Sequence, residues 1–117
     1  MIHSENCIFC KIAAGTIPAV KIFENEFVFV IKDINPLAEH HYLVISKQHV
    51  VSLNDADARF IETVVPKVFL AAATVAQTLG FKERGYRVVI NNQAAAGQSV
   101  WHTHWHVLSA PALGVFA

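Results

Sequence analysis

The segment Trp101-His102-Thr103-His104-Trp105-His106-Val107 alternates histidine with a bulky or β-branched residue. Successive side chains of an extended chain point to opposite faces. As a strand, the segment therefore sets three imidazoles on one side and Trp101, Thr103, Trp105 and Val107 on the other. The second set is mostly large and apolar and suits a core, which leaves the imidazole face to meet solvent, a ligand or a metal. Polar strand faces are ordinarily filled by Lys, Glu and Thr, so a run of one titratable type marks a surface with a task. Three ligands to one ion do not fit: a rise of about 3.3 Å per residue separates the outer imidazole bases by roughly 13 Å, whereas zinc needs its nitrogens about 2 Å away. One or two of the three suit a metal that takes further ligands from elsewhere. The remaining reading gives the rings unlike roles: a central nucleophile flanked by histidines that hold charge, place a proton or bind an anion. Imidazole suits that role because a useful fraction is unprotonated at neutral pH.

The rest of the chain bounds what this strand can serve. With 117 residues there is room for one domain, taken as 1–117, and no second core. Apolar residues make up 54% and charged residues 15%, against typical values of roughly 45–50% and about 25%, which excludes disorder and hints at a buried subunit contact. Nine basic residues balance nine acidic ones, so neither nucleic-acid backbone nor an anionic membrane is the expected partner; a small or neutral one is. The longest apolar run, Val68 to Ala73, is far shorter than the roughly 18–20 residues of a spanning helix, and Met1 to Glu5 has no basic start before an apolar block. A soluble cytoplasmic protein is expected. Cys7 and Cys10 would close only a trivial loop if paired, and read better as thiols or metal ligands.

Along the chain, Cys7 to Ala14 has near-helical apolar spacing and stops at Gly15, which predicts a short helix. Lys21 to Phe23 and Phe27 to Ile31 predict two strands split by Glu24-Asn25-Glu26, and Tyr42 to Ile45 a third after Asp33-Ile34-Asn35-Pro36. From Asn54, which can cap, Phe60, Val64, Val68, Ala71, Val75 and Leu79 recur at helical steps up to Gly80. Pro66 lacks the amide that would bond back one turn, so a kink or a break into two shorter helices is expected there. Strands over Tyr86 to Asn91 and Trp101 to Leu108 complete an α+β domain with a mostly antiparallel sheet. Between them Gly97-Gln98-Ser99 supplies a flexible turn and a hydroxyl, and Asn91 ends the neighbouring strand; all are candidate anion or oxygen donors.

Taken together, Gly97-Gln98-Ser99-Val100-Trp101-His102-Thr103-His104-Trp105-His106-Val107-Leu108 resembles the signature of the histidine-triad (HIT) family of nucleotide-binding hydrolases and transferases. The likeness to the Hint-like branch extends to Cys-Ile-Phe-Cys-Lys-Ile near the start, Ile17-Pro18, Asp33-Ile34, His41 to Ile45, Lys47-Gln48-His49 and Gly85 to Val89. It implies a HIT-like fold: a five-stranded antiparallel sheet with one short and one long helix, dimerising into a ten-stranded sheet. The implied activity is hydrolysis of purine nucleoside 5′-phosphoramidates, AMP-amine or aminoacyl-adenylate-like, through a covalent nucleotidyl-histidine.

In that reading His104 attacks the α-phosphorus, His106 stabilises the phosphoryl oxygens, and His41 supports the protonation state of the nucleophile. Ser99 with Gly97 and Gln98 positions phosphate or departing amine, and Asn91 adds a polar contact. Asp33 accepts from the ribose hydroxyls, and Phe9, Ile17, Ile31 and Ile34 form the slot for the base; each of these four alone equally suits core packing. The resemblance further implies a structural zinc on Cys7, Cys10, His49 and His102. His3 and His40 take no role. The chain departs from the family pattern in three places: Thr103 stands at a usually hydrophobic position, Ser46 where Pro is usual, and the tail Ser109 to Ala117 lacks the family's Gly-Gly-Arg and Trp-Pro-Pro-Gly elements. Two rivals remain at this stage, a dinucleoside polyphosphate hydrolase and a nucleotide-binding scaffold with dispensable catalysis.

Overall fold

The computed structural model describes residues 6–115; His3, the rest of 1–5 and 116–117 lie outside the described residues. Five strands form one antiparallel sheet. They are β1 (Phe23–Glu24), β2 (Val28–Lys32), β3 (His40–Ser46), β4 (Arg87–Ile90) and β5 (His104–Ser109), in the spatial order β1-β2-β3-β5-β4. The hairpin β1–β2 turns at Asn25, whose side-chain oxygen accepts from the amides of Phe27 and Val28, as short polar side chains do in tight turns. The central pairing sets His41 opposite Leu108, Leu43 opposite His106 and Ile45 opposite His104.

Alternation then divides the sheet into two working faces. Val28, Val30, Tyr42, Val44, Trp105 and Val107 form one buried cluster with the long helical arm. Phe29, Leu43 and Ile45 form another with Cys7, Phe9, Cys10 and Ile12 of the N-terminal segment. The histidines therefore share a face with α1 (Ile8–Ala13), and the other face carries α2 (Ala58–Thr63) and α3 (Val65–Thr78).

The long helix is broken at Val64, which ends α2 and begins α3, with Pro66 in the first turn of α3 where its missing amide costs nothing. The break therefore falls where Pro66 predicts it. The start does not follow the expectation: Asn54 lies in a 3-10 turn, Leu53–Asp55, and the cap is Asp57, whose Oδ1 accepts from the amide of Phe60 at 2.8 Å. By length and composition the stretch Ala58–Thr78 is long and apolar enough to cross a membrane, although no single run of apolar residues is. Here Val68, Ala71, Ala72, Val75 and Ala76 lie buried in the core of this face.

The histidine-bearing strand is also shorter than its alternation suggests. Residues 100–102 form a bend, and pairing begins at His104. Trp101 consequently does not pack the core: it is 46% exposed, whereas Thr103 and Trp105 are buried.

Candidate functional site

Three imidazoles come from one five-residue segment, yet the fold sends them to two places. Phe9 of α1 stands between, its ring meeting His102 edge-on at 5.8 Å and His104 at 5.2 Å. His104 and His106 then meet at 5.2 Å.

His102 joins the first place. Cys7 caps α1 and Cys10 lies one turn on, so both sulfurs point to the same side; they are not joined by a disulfide. Cys7 Sγ is 3.2 Å from His102 Nδ1, Cys10 Sγ is 3.2 Å from His49 Nδ1, and the two Nδ1 atoms are 3.1 Å apart. All four donor atoms lie within 4.8 Å of one another. Zinc with Zn–N of about 2.0–2.1 Å and Zn–S of about 2.3 Å has tetrahedral edges of roughly 3.3–3.8 Å, close to these separations. The ring of His102 is already oriented for such a role, because its Nε2–H donates to the carbonyl of Ser46 at 2.6 Å and leaves Nδ1 with a lone pair. Four soft or borderline donors, three of the residues buried, thus fit a structural zinc.

The second place borders a cavity of about 550 Å³ walled by Phe9, Ile31, Asp33, Ile34, His104 and His106 among others, with Ser99 on its rim. His104 Nδ1 sits 2.7 Å from the carbonyl oxygen of His102. A carbonyl only accepts, so Nδ1 carries the proton and Nε2 keeps its lone pair. His41 is ordered in the opposite sense: its Nδ1 accepts from the amide of Leu37 at 3.0 Å, so its proton resides on Nε2. That N–H faces His106 Nδ1 at 2.9 Å and Asp33 Oδ2 at 3.3 Å. Donation to His106 Nδ1 leaves the remaining nitrogen of His106 as a donor.

Burial lowers the pKa of all three rings. For His106, desolvation and then the neighbouring His104 and His41 hold it at about 4, with Asp33 pulling the other way. Desolvation also lowers His104, opposed by its bond to the His102 carbonyl and by Asp33, and lowers His41, opposed by Asp33. At neutral pH the site therefore holds neutral imidazoles with fixed tautomers.

The other expected residues divide between the cavity and its surroundings. His41 bonds to His106 and Asp33 rather than to His104 among the described residues. Asp33 lines the cavity but also accepts from the Asn35 amide through Oδ1 at 2.8 Å. Ile17 packs against the α1 cluster instead of walling the cavity. Gln98 is buried: its side chain accepts from the amide of Gln93 and donates to the carbonyls of Val51 and Val100. It thereby closes a loop in which Gln93 takes φ +75° and Gly97 φ +93°, the latter a conformation that glycine adopts without cost. This loop presents Ser99. Neither Gly97 nor the half-buried Asn91 lines the cavity. Leu43, Ile12, Val100 and Lys32 line it and were missed. Leu43 was legible, since it shares a strand face with His41 and Ile45.

The HIT domain family profile matches residues 14–112. The chain belongs to the HIT family. It is 33% identical over 111 residues to the purine nucleoside phosphoramidase of Escherichia coli strain K12, covering 95% of this chain and 92% of that protein. It is 34% identical over 104 residues to the adenylylsulfatase HINT3 of Arabidopsis thaliana, covering 89% of this chain and only 52% of that relative. Among solved structures, the HIT family hydrolase from Clostridium thermocellum superposes with a TM-score of 0.91 at 39% identity, covering 97% of each chain. The five-stranded antiparallel sheet with its helices is thus the α+β HIT fold.

Proposed function

We propose that this HIT protein, one domain over 1–117, hydrolyses purine nucleoside 5′-phosphoramidates through a nucleotidyl-His104 intermediate. One observation carries the reading: the His102 carbonyl takes the Nδ1 proton of His104, so an unprotonated Nε2 belongs to a ring lining a cavity beside His106. The base enters the apolar slot of Phe9, Ile31 and Ile34, and the ribose reaches Asp33. His104 Nε2 forms a bond to the α-phosphorus as the P–N bond breaks, and the departing amine takes a proton from the Ser99 hydroxyl, which is replaced by one from solvent. His106, its Nδ1 occupied by His41, donates from its other nitrogen to a phosphoryl oxygen. Water then forms the P–O bond and returns one proton to solvent as the bond between His104 and phosphorus breaks, and AMP and free amine are the products.

Beyond Ser99 lies an open hollow of about 440 Å³ walled by Asn6, Ile8, Val51, Val100 and Trp101 with Cys7 and His49. Those five walls are uncharged, which supports a neutral amine as leaving group over a polyphosphate or sulfate. Zinc on Cys7, Cys10, His49 and His102 would tie α1 to the segment that carries His104, a structural role. We also read the chain as a cytoplasmic homodimer without nucleic-acid or membrane partners. The half-exposed Phe69 and Leu70 of α3 support the two-fold contact.

Steady-state kinetics on adenosine 5′-phosphoramidate, a dinucleoside polyphosphate and adenylyl sulfate test the substrate class. A kcat/KM highest for the phosphoramidate is expected; preference for either other substrate replaces this reading. Binding of AMP with turnover of none of the three would favour a scaffold.

A further inference from the structure

Ser46 and Thr103 stand 57 residues apart in the chain, and the fold brings their hydroxyls together. They occupy the step just beyond the last β3–β5 pair, Ile45 with His104. Both are buried, Ser46 completely. Their hydroxyls lie 2.6 Å apart, and the Ser46 amide donates to the Thr103 carbonyl at 3.3 Å. Ser46 Oγ also lies 2.9 Å from the Gln48 carbonyl, which only accepts. The direction of the chain follows: Thr103 Oγ1–H donates to Ser46 Oγ, and Ser46 Oγ–H donates to Gln48. Proline at 46 could supply neither the amide nor the hydroxyl.

Each end of this relay adjoins an imidazole of the four-donor cluster. Gln48 carries the peptide bond to His49, and Thr103 follows His102. The carbonyl of Ser46 itself accepts from His102 Nε2, as its hydroxyl does more distantly at 3.4 Å. The Thr103 amide closes the far side by donating to the Val50 carbonyl at 2.7 Å. Burial makes these bonds expensive to leave unmade, so they hold one arrangement.

We infer that Ser46 and Thr103 are a positioning pair that fixes His102 in its Nε2–H tautomer and holds His49 beside it, so that both Nδ1 atoms face Cys7 and Cys10 as zinc ligands. The inference rests on the zinc reading above for its metal, and on the hydrogen bonds alone for the tautomer. Because the His102 carbonyl also orders His104, the same pair supports the ring in the cavity at one remove.

The test compares wild type with Thr103→Val, which keeps shape and loses the hydroxyl, Thr103→Ser, which restores it, and Ser46→Ala. Zinc affinity is read by chelator competition, the bound-Co²⁺ visible spectrum reports tetrahedral geometry, and histidine ring nitrogen NMR of the metal-free chains reports the His102 tautomer. Outer contacts of this kind alter metal affinity by about 10- to 100-fold, and that loss is expected in Thr103→Val and Ser46→Ala, with Thr103→Ser near wild type. A mixed His102 tautomer is expected in the same two variants. Thr103→Val or Ser46→Ala binding zinc like wild type with an unaltered His102 spectrum would overturn the inference. Should wild type take up no zinc, the metal reading falls, and the tautomer comparison still decides the role of the pair. If Thr103→Val does not fold, Ser46→Ala carries the same comparison.

Discussion

His102 and His104 stand two residues apart on one segment and present opposite nitrogens. His102 gives its Nε2 proton to the Ser46 carbonyl and turns Nδ1 toward two sulfurs and His49; His104 gives its Nδ1 proton to the His102 carbonyl and keeps Nε2 available. Neither side chain differs chemically from the other. What differs is which nitrogen a backbone carbonyl takes and what lies beyond: thiols under α1 in one case, a cavity bounded by a carboxylate and further imidazoles in the other. A histidine's task in this fold is therefore assigned by the main chain around it.

The sharpest way to break the comparison is to remove the ring in the cavity. His104→Ala should lower phosphoramidate turnover by about ten-thousand-fold or more, the scale seen when a nucleophile is lost, while zinc content measured by elemental analysis stays at the wild-type value. His106→Asn, assayed by kcat at saturating substrate, should cost about 100- to 1,000-fold as one donor to the developing charge is lost. Cys10→Ser should act on the other cluster: about one equivalent of zinc lost per chain, together with a melting temperature lowered by several degrees, a size typical of roughly 1–2 kcal/mol in a domain of this length. Loss of zinc in the His104 variant would merge two sites kept separate here, and unchanged zinc in the cysteine variant would remove Cys10 from the metal cluster.

The smallest effect is that of pH. Lowered histidine pKa values mean that the unfolded chain binds protons first. Stability should fall as pH drops from about 6.5, the unfolded value, toward the value of about 4 held by His106, and should level above 6.5. The acid limb of kcat/KM should likewise lie below the ordinary histidine range, because His104 remains neutral there. An acid limb at or above pH 6.5 contradicts the burial argument.

Much of this arrangement was written locally in the chain. Alternation at 101–107 is a period-two signal, and the strand it implies does carry His104 and His106 on one face with Trp105 and Val107 on the other. Pro66 marked the helix break for a reason confined to one residue. What escaped depends on partners far along the chain. Trp101 reads as core by alternation, but the bend at 100–102 precedes pairing, and no local pattern reports where a neighbouring strand ends. The link from His41 to His106 rather than His104 is set by the β3–β5 register, which places Leu43 opposite His106. The Gln98 side chain closes its own loop through the Gln93 amide and the Val51 and Val100 carbonyls, of which Val51 lies far along the chain.

The most direct test of the account is rapid-quench mass spectrometry of the protein mixed with adenosine 5′-phosphoramidate. A transient AMP adduct located on His104 is expected, forming and decaying fast enough to support turnover and absent from His104→Ala. Turnover without an adduct, or an adduct on another residue, would contradict it.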